Sequence, residues 1–396
     1  GYAVTMLPIS DQPYQDLPRL PPPGRVETPT VLKATITASR ALARLDGAYK
    51  RLPDPTMLIN LIPLMEAQAS SEIENIVTTN DELFKAANGT LPNLTPQVKE
   101  ALRYREALHV GYKSLDSRPV TTQTAIDVCS HIQASPASIR DQPGTYIGNP
   151  TTGQRIYTPP EGRDVILDHL SAWERFINGD HGLDPLVVMA LAHYQFEAIH
   201  PFFDGNGRTG RILNMLILIQ TELLQLPILY LSGHIVRHKD TYYERLNAVT
   251  RNNEWEPWIL FMLSGVESTA QWTLDLVEKT DQMRVEMEQQ IRDHNSKLPA
   301  ASLARMMFSQ PYLRIDNIVE AGLAKRQTAA HWLTDLACSG LISKERVGRN
   351  VVFINDRLLQ TLFHTPLPEG DIRSGSSHPA AATHLTSTPS CHRRKI

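Results

Sequence analysis

The chain has 396 residues, 20% of them charged, with a formal net charge of −3. That length leaves room for two or three domains, each with a core of its own, and so even a balance argues against recruitment to nucleic acid or membrane by bulk charge. Three widely spaced cysteines, Cys129, Cys338 and Cys391, exclude a disulfide framework, offer no metal-binding spacing and suit a reducing compartment. Residues 1–29 carry Pro8, Pro13, Pro18 and the run Pro21-Pro22-Pro23, which reads as an extended arm laid over the surface or partly disordered. No charged-then-apolar segment opens the chain, so a cytoplasmic location is expected. From Thr30 to about Leu52 apolar residues recur at helical spacing, and Asp54-Pro55 opens a second helical stretch to about Val77. Residues 81–140 read as helices broken between Gly89 and Pro96. Two β-type runs, Pro143 to Asn149 and Gln154 to Pro160, flank a Pro/Thr/Gly turn and spell a hairpin. An amphipathic helix spans Arg163–Asn178 and stops at Gly179. Asp184-Pro185 then reads as a cap followed by the first helical position, opening a buried helix over Leu186–Ile199. The apolar run from Leu213 to Leu231 is interrupted by Gln220, Glu222, Gln225 and Pro227, so it is core and not a membrane span. Helical spacing continues from His234 to Asn253, and residues 266–298 read as one long linking helix. Ser, Thr, Pro and His without apolar periodicity mark a disordered tail from about Thr365.

The stretch from His200 to Arg211, His-Pro-Phe-Phe-Asp-Gly-Asn-Gly-Arg-Thr-Gly-Arg, concentrates the chemistry. Glycines let a backbone approach a phosphate, successive amides can form an anion nest, and a helix starting near Arg208 would add its positive end. Arg208 and Arg211 stand three apart, on roughly one helix face. Asp204 is a hard oxygen ligand of the kind magnesium uses beside phosphates, and His200 can serve as a base. The three glycines also satisfy a dinucleotide-binding pattern, with Glu222 at the distance of a ribose contact. That pattern needs a strand before the glycines, and the preceding segment reads as helix.

These residues match without departure the motif of the Fic family, H-P-F-x-[DE]-G-N-G-R-x-x-R, and the chain resembles that family over roughly residues 15–265. The resemblance implies a mainly α fold, a Fic-type helical core with a small β-hairpin flap, and transfer of AMP from ATP to a Ser, Thr or Tyr hydroxyl of a target protein. It implies that His200 deprotonates the target hydroxyl and that Asp204 holds Mg²⁺. Gly205, Asn206 and Gly207 would form an anion hole, with Arg208 and Arg211 on the outer phosphates, Thr209 and Gly210 within the same nucleotide-contacting run, and Phe202 pinning the loop. Ser70, Glu74 and Asn75 match the family's inhibitory pattern, [ST]-x-x-x-E-[GN], which implies that Glu74 pairs with Arg211 and restrains transfer in cis. Ile147 and Gly148 fall where the family's flap lines up a target backbone. Tyr242 matches a Tyr beside adenine, whereas Thr250 stands where relatives carry an Asn. A homodimer is compatible with the family.

Residues 303–362 look like a winged helix, in which Lys325, Arg326, Gln327 and His331 would face a groove and Lys344, Arg346 and Arg349 would lie near the wing. Asp335, Glu345 and Asp356 dilute that charge, which favours a protein-docking or dimer-supporting module over one that contacts DNA. The expected organisation is an arm (1–29), an N-terminal helical region bearing the inhibitory segment (30–110), a catalytic core (111–265), a linker helix (266–298), the winged helix (299–364) and a tail (365–396). Two other functions fit the residues: hydrolytic removal of AMP by the same site, and a DNA-binding regulator that only senses ATP.

Overall fold

The computed structural model describes residues 11–368 apart from 51, 53, 54, 92, 149–154 and 348–349. The first ten residues, Asp54, the hairpin turn at Pro150–Gly153, Gly348-Arg349 and the tail beyond Pro368 therefore lie outside the described residues. Local side-chain caps set several of the helix starts. Thr28 accepts from the Val31 amide and Pro29 takes the first position of α1 (Pro29–Tyr49). Helix α2 (Thr56–Ile73) follows, and a capping box between Thr79 and Glu82 opens α3 (Asn80–Ala87). Thr95 and Thr121 cap α4 (Pro96–Ser114) and α5 (Thr122–Gln133). The antiparallel pair β1 (Ile147–Gly148) and β2 (Arg155–Tyr157) comes next, with Ile147 opposite Tyr157. Helix α6 (Arg163–Asn178) leads to α7 (Pro185–Ile199), where the Asp184 carboxylate accepts from the Leu186 amide at 2.9 Å. Then come α8 (Asn206–Gln220), α9 (Leu231–Arg237), α10 (Lys239–Asn252) and α11 (Trp255–His294).

Helices α7 and α8 form the centre. Nearly every side chain of α7 from Leu186 to Ile199 is buried, as its unbroken apolar sequence requires. Helices α6 and α11 cover α7, and α4 and α5 cover α8. Trp173 of α6 and Trp258 of α11 each donate an indole N–H into α7, to the Ala192 and Ala190 carbonyls at 3.0 and 2.8 Å. Helix α1 lies along α11. The described part of the arm, from residue 11, crosses this assembly: the Tyr14 amide donates to the Thr158 carbonyl (3.0 Å), and Gln195 Nε2 donates to the Pro18 carbonyl (2.9 Å).

Several boundaries differ from the sequence expectation for identifiable reasons. Helix α2 stops at Ile73, short of Val77, because Asn75 turns left-handed at φ 64°. Helix α8 starts at Asn206, ahead of Arg208, because Gly205 (φ 81°) already completes the turn. The stretch 234–253 is two helices, broken at His238. The linking helix begins as early as Trp255, so α11 runs unbroken for 40 residues, about 60 Å at 1.5 Å per residue.

The C-terminal residues build α12 (Ala300–Ser309), β3 (Tyr312–Leu313), α13 (Ile315–Glu320), α14 (Arg326–Cys338), β4 (Ser343–Val347), β5 (Asn350–Ile354) and α15 (Asp356–His364). The three strands form an antiparallel sheet in the order β3-β5-β4. This module rests on α2 and α3. Asn60 Nδ2 donates to the Ser309 carbonyl at 3.2 Å, the Tyr312 hydroxyl donates to the Asp81 carboxylate, and the Phe84 and Phe363 rings stand 5.9 Å apart. Among the described residues no helix is long and apolar enough to cross a membrane.

Trp258 is fully buried and its indole N–H is bonded. Trp258→Ala should therefore lower the free energy of unfolding by about 4 kcal/mol; a urea-denaturation midpoint that barely moves would contradict this packing.

Candidate active site

The end of α7 is strained by design of its neighbours. His200 closes the helix in the left-handed region (φ 50°, ψ 59°), where a non-glycine residue rarely sits. Arg140, itself fully buried, ties this turn to Pro160 through four hydrogen bonds. Its Nε donates to the His200 carbonyl (2.7 Å), its Nη2 to the Pro160 and Ile199 carbonyls (2.5 and 3.2 Å), and its amide to the Pro201 carbonyl (3.0 Å). Asn206 secures the next turn, accepting from the Phe202 amide and donating to the Phe202 carbonyl, both at 2.8 Å. The Phe202 ring is buried beside Phe196. The Asn206 side chain is thus spent on the loop itself. Gly205 caps α8 without a side chain, so no side-chain acceptor meets the first-turn amides of that helix. Gly207, in the first turn of α8, lies against the Arg211 guanidinium, so the positive helix end stands close to that group.

A single carboxylate spans both arginines. Glu74 Oε1 accepts from Arg211 Nη2 at 2.7 Å, and Glu74 Oε2 pairs with Arg208 Nε at 2.7 Å. Arg211 also donates from Nε to Ser70 Oγ (2.8 Å) and from Nη2 to the Ser70 carbonyl (2.9 Å). Sequence reading expected Glu74 to meet Arg211 only; Arg208 is a second partner. The end of α2 fixes the carboxylate in place. The Ile76 amide donates to the Ser71 carbonyl and the Asn75 amide to the Glu72 carbonyl, around a left-handed Asn75. This is a Schellman ending, and it explains why a residue tolerant of positive φ follows Glu74. Asn75 Oδ1 in turn accepts from Lys239 Nζ at 2.8 Å. Gly207 lies under the pair: a Cβ there would stand 2.5 Å from Glu74 Oε1 and 2.9 Å from Arg211 Nη1.

Electrostatics follow from burial and pairing. Burial alone would raise the Glu74 carboxyl, but Arg211 and Arg208 outweigh it and hold it below the ordinary carboxylate range. Glu197, three residues before His200 and beside Gly210, is pushed up to about 7 by burial, against the pull of Arg211. His200 is lowered to about 4, first by burial and then by the Arg140 charge. Its imidazole is therefore neutral across the physiological range, the form a base requires.

The other expected residues are distributed as follows. Asp204 is largely exposed; its Oδ1 accepts from the Gly205 amide (2.7 Å) and from Arg208 Nη2 (3.1 Å). Thr209 is fully buried, and the open side of Gly210 faces Glu197, Phe196 and His193, so both are turned into the core. Ile147 and Gly148 are half-buried on β1. The hairpin is tied to the site by the Tyr157 hydroxyl, which donates to the Ala198 carbonyl at 2.8 Å. Tyr242 is buried with its hydroxyl 2.8 Å from His193 Nε2, while the adjoining Tyr243 is exposed. Thr250 Oγ1 stands 3.0 Å from the Tyr194 hydroxyl. Sequence reading missed Arg140, Glu197 and Glu100, whose carboxylate pairs with Arg208. Glu100 and Arg140 lie far from their partners in sequence and carry no local signal. Glu197 sits inside an apolar helix, and a lone acid there is the one signal that could have been followed.

Comparison with known proteins places these features. Residues 32–113 match the model described as Fic/DOC family N-terminal, residues 120–218 the Fic/DOC family model, and residues 283–358 that of the C-terminal domain of SoFic-like protein adenylyltransferase. The chain is 26% identical over 154 residues to protein adenylyltransferase Fic of Drosophila yakuba, covering 38% of this chain and 30% of that protein. To the Aedes aegypti protein of the same name it is 32% identical over 119 residues, covering 30% of this chain and 22% of that protein. The chain thus matches under a third of the length of these curated relatives. Among solved structures, a Fic family protein from Desulfovibrio desulfuricans G20 aligns with TM-score 0.53 at 19% identity, over 84% of this chain and 98% of that one. Fic-1 from C. elegans aligns with TM-score 0.50 at 19% identity, over 64% and 75%.

Because the folded pKa of His200 is depressed, its ring should stay neutral as pH falls from 8 to 5 and take up a proton only near 4. Carbon–proton correlation spectra of the ring measure this directly, and a midpoint near the ordinary 6.5 would contradict the burial described.

Proposed function

The chain belongs to the Fic/DOC family, and we propose that it transfers AMP from ATP to a Ser, Thr or Tyr hydroxyl of a target protein, restrained in cis by Glu74. The observation that carries this reading is the juxtaposition of a neutral imidazole, an uncapped helix N-terminus and two buried guanidinium groups, the latter shared by one carboxylate. The curated relatives named protein adenylyltransferase support the same reaction class.

In this reading the target hydroxyl gives its proton to His200 as it attacks the α-phosphorus, and pyrophosphate leaves. Transfers of this type need positioning and charge neutralisation more than covalent help from the protein. The first-turn amides of α8 and the guanidinium groups of Arg208 and Arg211 supply both. Asp204 is the residue that would hold Mg²⁺. Its exposed carboxylate offers one protein ligand, the donor set expected of a magnesium ion held mainly by phosphates and water. The ion, when bound, supplies charge neutralisation on the leaving pyrophosphate. The free edge of β1 would align the target by main-chain hydrogen bonds, close to His200 because Tyr157 anchors the hairpin there.

Glu74 restrains the reaction by occupancy. While its two oxygens hold Arg208 and Arg211, a phosphate chain finds those groups neutralised and meets a like charge. Only the fraction of molecules with the pair open is competent, so apparent affinity falls by that fraction. The C-terminal module is read as a docking element. Arg326 pairs with Asp316, and Lys344 lies over the Phe353 ring, so these cations are already engaged within the module.

With labelled ATP and magnesium, Glu74→Gly should raise transfer to protein at least about tenfold, since each 1.4 kcal/mol of clamp stability is worth that factor. Adding His200→Ala should lower transfer by about 10²-fold or more. Equal labelling of wild type and Glu74→Gly would sink the restraint, and undiminished labelling without His200 would sink the mechanism.

A further inference from the structure

Arg208 is almost wholly buried, and each of its three guanidinium nitrogens meets a different carboxylate. Nε pairs with Glu74 at 2.7 Å, Nη1 with Glu100, and Nη2 with Asp204 at 3.1 Å. These three acids are not equivalent. Glu74 stands at the exit of α2, and nucleotide binding must displace it. Asp204 sits on an exposed loop and, in the reading above, turns toward a cation. Glu100 lies in the second turn of α4, a helix packed against α2, α5 and α8. It is the partner that has no reason to leave.

Building on the transfer reading, we propose that Glu100 is a positioning residue for the nucleotide. By keeping Nη1 of Arg208 engaged, it fixes the plane of the guanidinium so that the edge released by Glu74 is presented to the phosphates. Two physical requirements point the same way. A buried guanidinium stripped of every counter-charge is strongly disfavoured, so a site that must shed Glu74 to work needs a partner that remains. An arginine side chain also has many rotamers to lose, and holding one end lowers the entropy lost when the other end binds. The contrary role is a second brake, in which Glu100 neutralises Arg208 and opposes phosphate binding as Glu74 does. The two roles give opposite signs.

The test uses the full chain carrying Glu74→Gly, alone and combined with Glu100→Ala or Glu100→Gln. Two quantities are measured: the Kd of a non-hydrolysable ATP analogue with magnesium, by calorimetry, and KM and kcat for ATP in protein labelling. Glu100→Ala should raise Kd and KM by on the order of tenfold and change kcat by much less. Glu100→Gln keeps the acceptor oxygen and the shape, should fold where Ala does not, and should recover part of the affinity. Unchanged Kd and KM in both variants would overturn the proposal. So would tighter binding, or a gain of labelling from Glu100→Ala in the chain with Glu74 intact, since that is the behaviour of a brake. If Glu74→Gly binds the analogue but labels nothing, the transfer reading fails, while the Kd series still decides the role of Glu100.

Discussion

Two buried guanidinium groups and one partly exposed carboxylate, packed between the end of α2 and the start of α8, are the constraint around which this site is built. Inside a protein such a pairing is stronger than at a surface, and an arginine left without a partner is correspondingly costly. The local structure is arranged around that constraint. Ser70 takes two of the Arg211 donor contacts, the Schellman ending of α2 sets the height of Glu74, and the glycine at 207 leaves room for its carboxylate. The opposite wall is built with the same economy. Arg140 stabilises the strained His200 backbone from outside the loop, through the carbonyls of His200 and Ile199.

Much of this was legible in the sequence, and the reasons are specific. Helical spacing announced α1 and α6, and Asp184-Pro185 announced α7, close to their observed starts. An unbroken apolar run said that α7 is buried on all sides, which excluded a strand ahead of the glycines and with it a dinucleotide fold. What could not be read were the endings governed by single backbone angles. Asn75 and His200 stop their helices in left-handed conformations that nothing in apolar periodicity foretells. Also hidden were partners distant in sequence. The contact of Glu100 with Arg208 spans 108 positions, and that of Arg140 with the His200 carbonyl spans 60. A charged residue on an amphipathic helix looks the same whether it faces water or a buried arginine.

The same limit applies to the organisation of the chain. Composition suggests a catalytic region, a linker and a separate C-terminal unit. In the folded molecule α11 crosses the expected boundary at residue 265 without a break, and the C-terminal module lies against α2 and α3. Glu74 is the residue that joins those two helices' neighbourhoods, since α2 ends beside it and α3 begins six residues later. The module therefore touches both helices that flank the segment carrying the paired carboxylate.

The missing methyl at Gly207 has a wider meaning. The spot a Cβ would fill is taken by the Glu74 carboxylate when the arginines are closed, and the amides around it are those that would receive a phosphate when they are open. In the proposed reaction the resting and working states would thus press on the same few cubic ångströms. A side chain at this position would have to displace the carboxylate in the one state and the phosphate in the other.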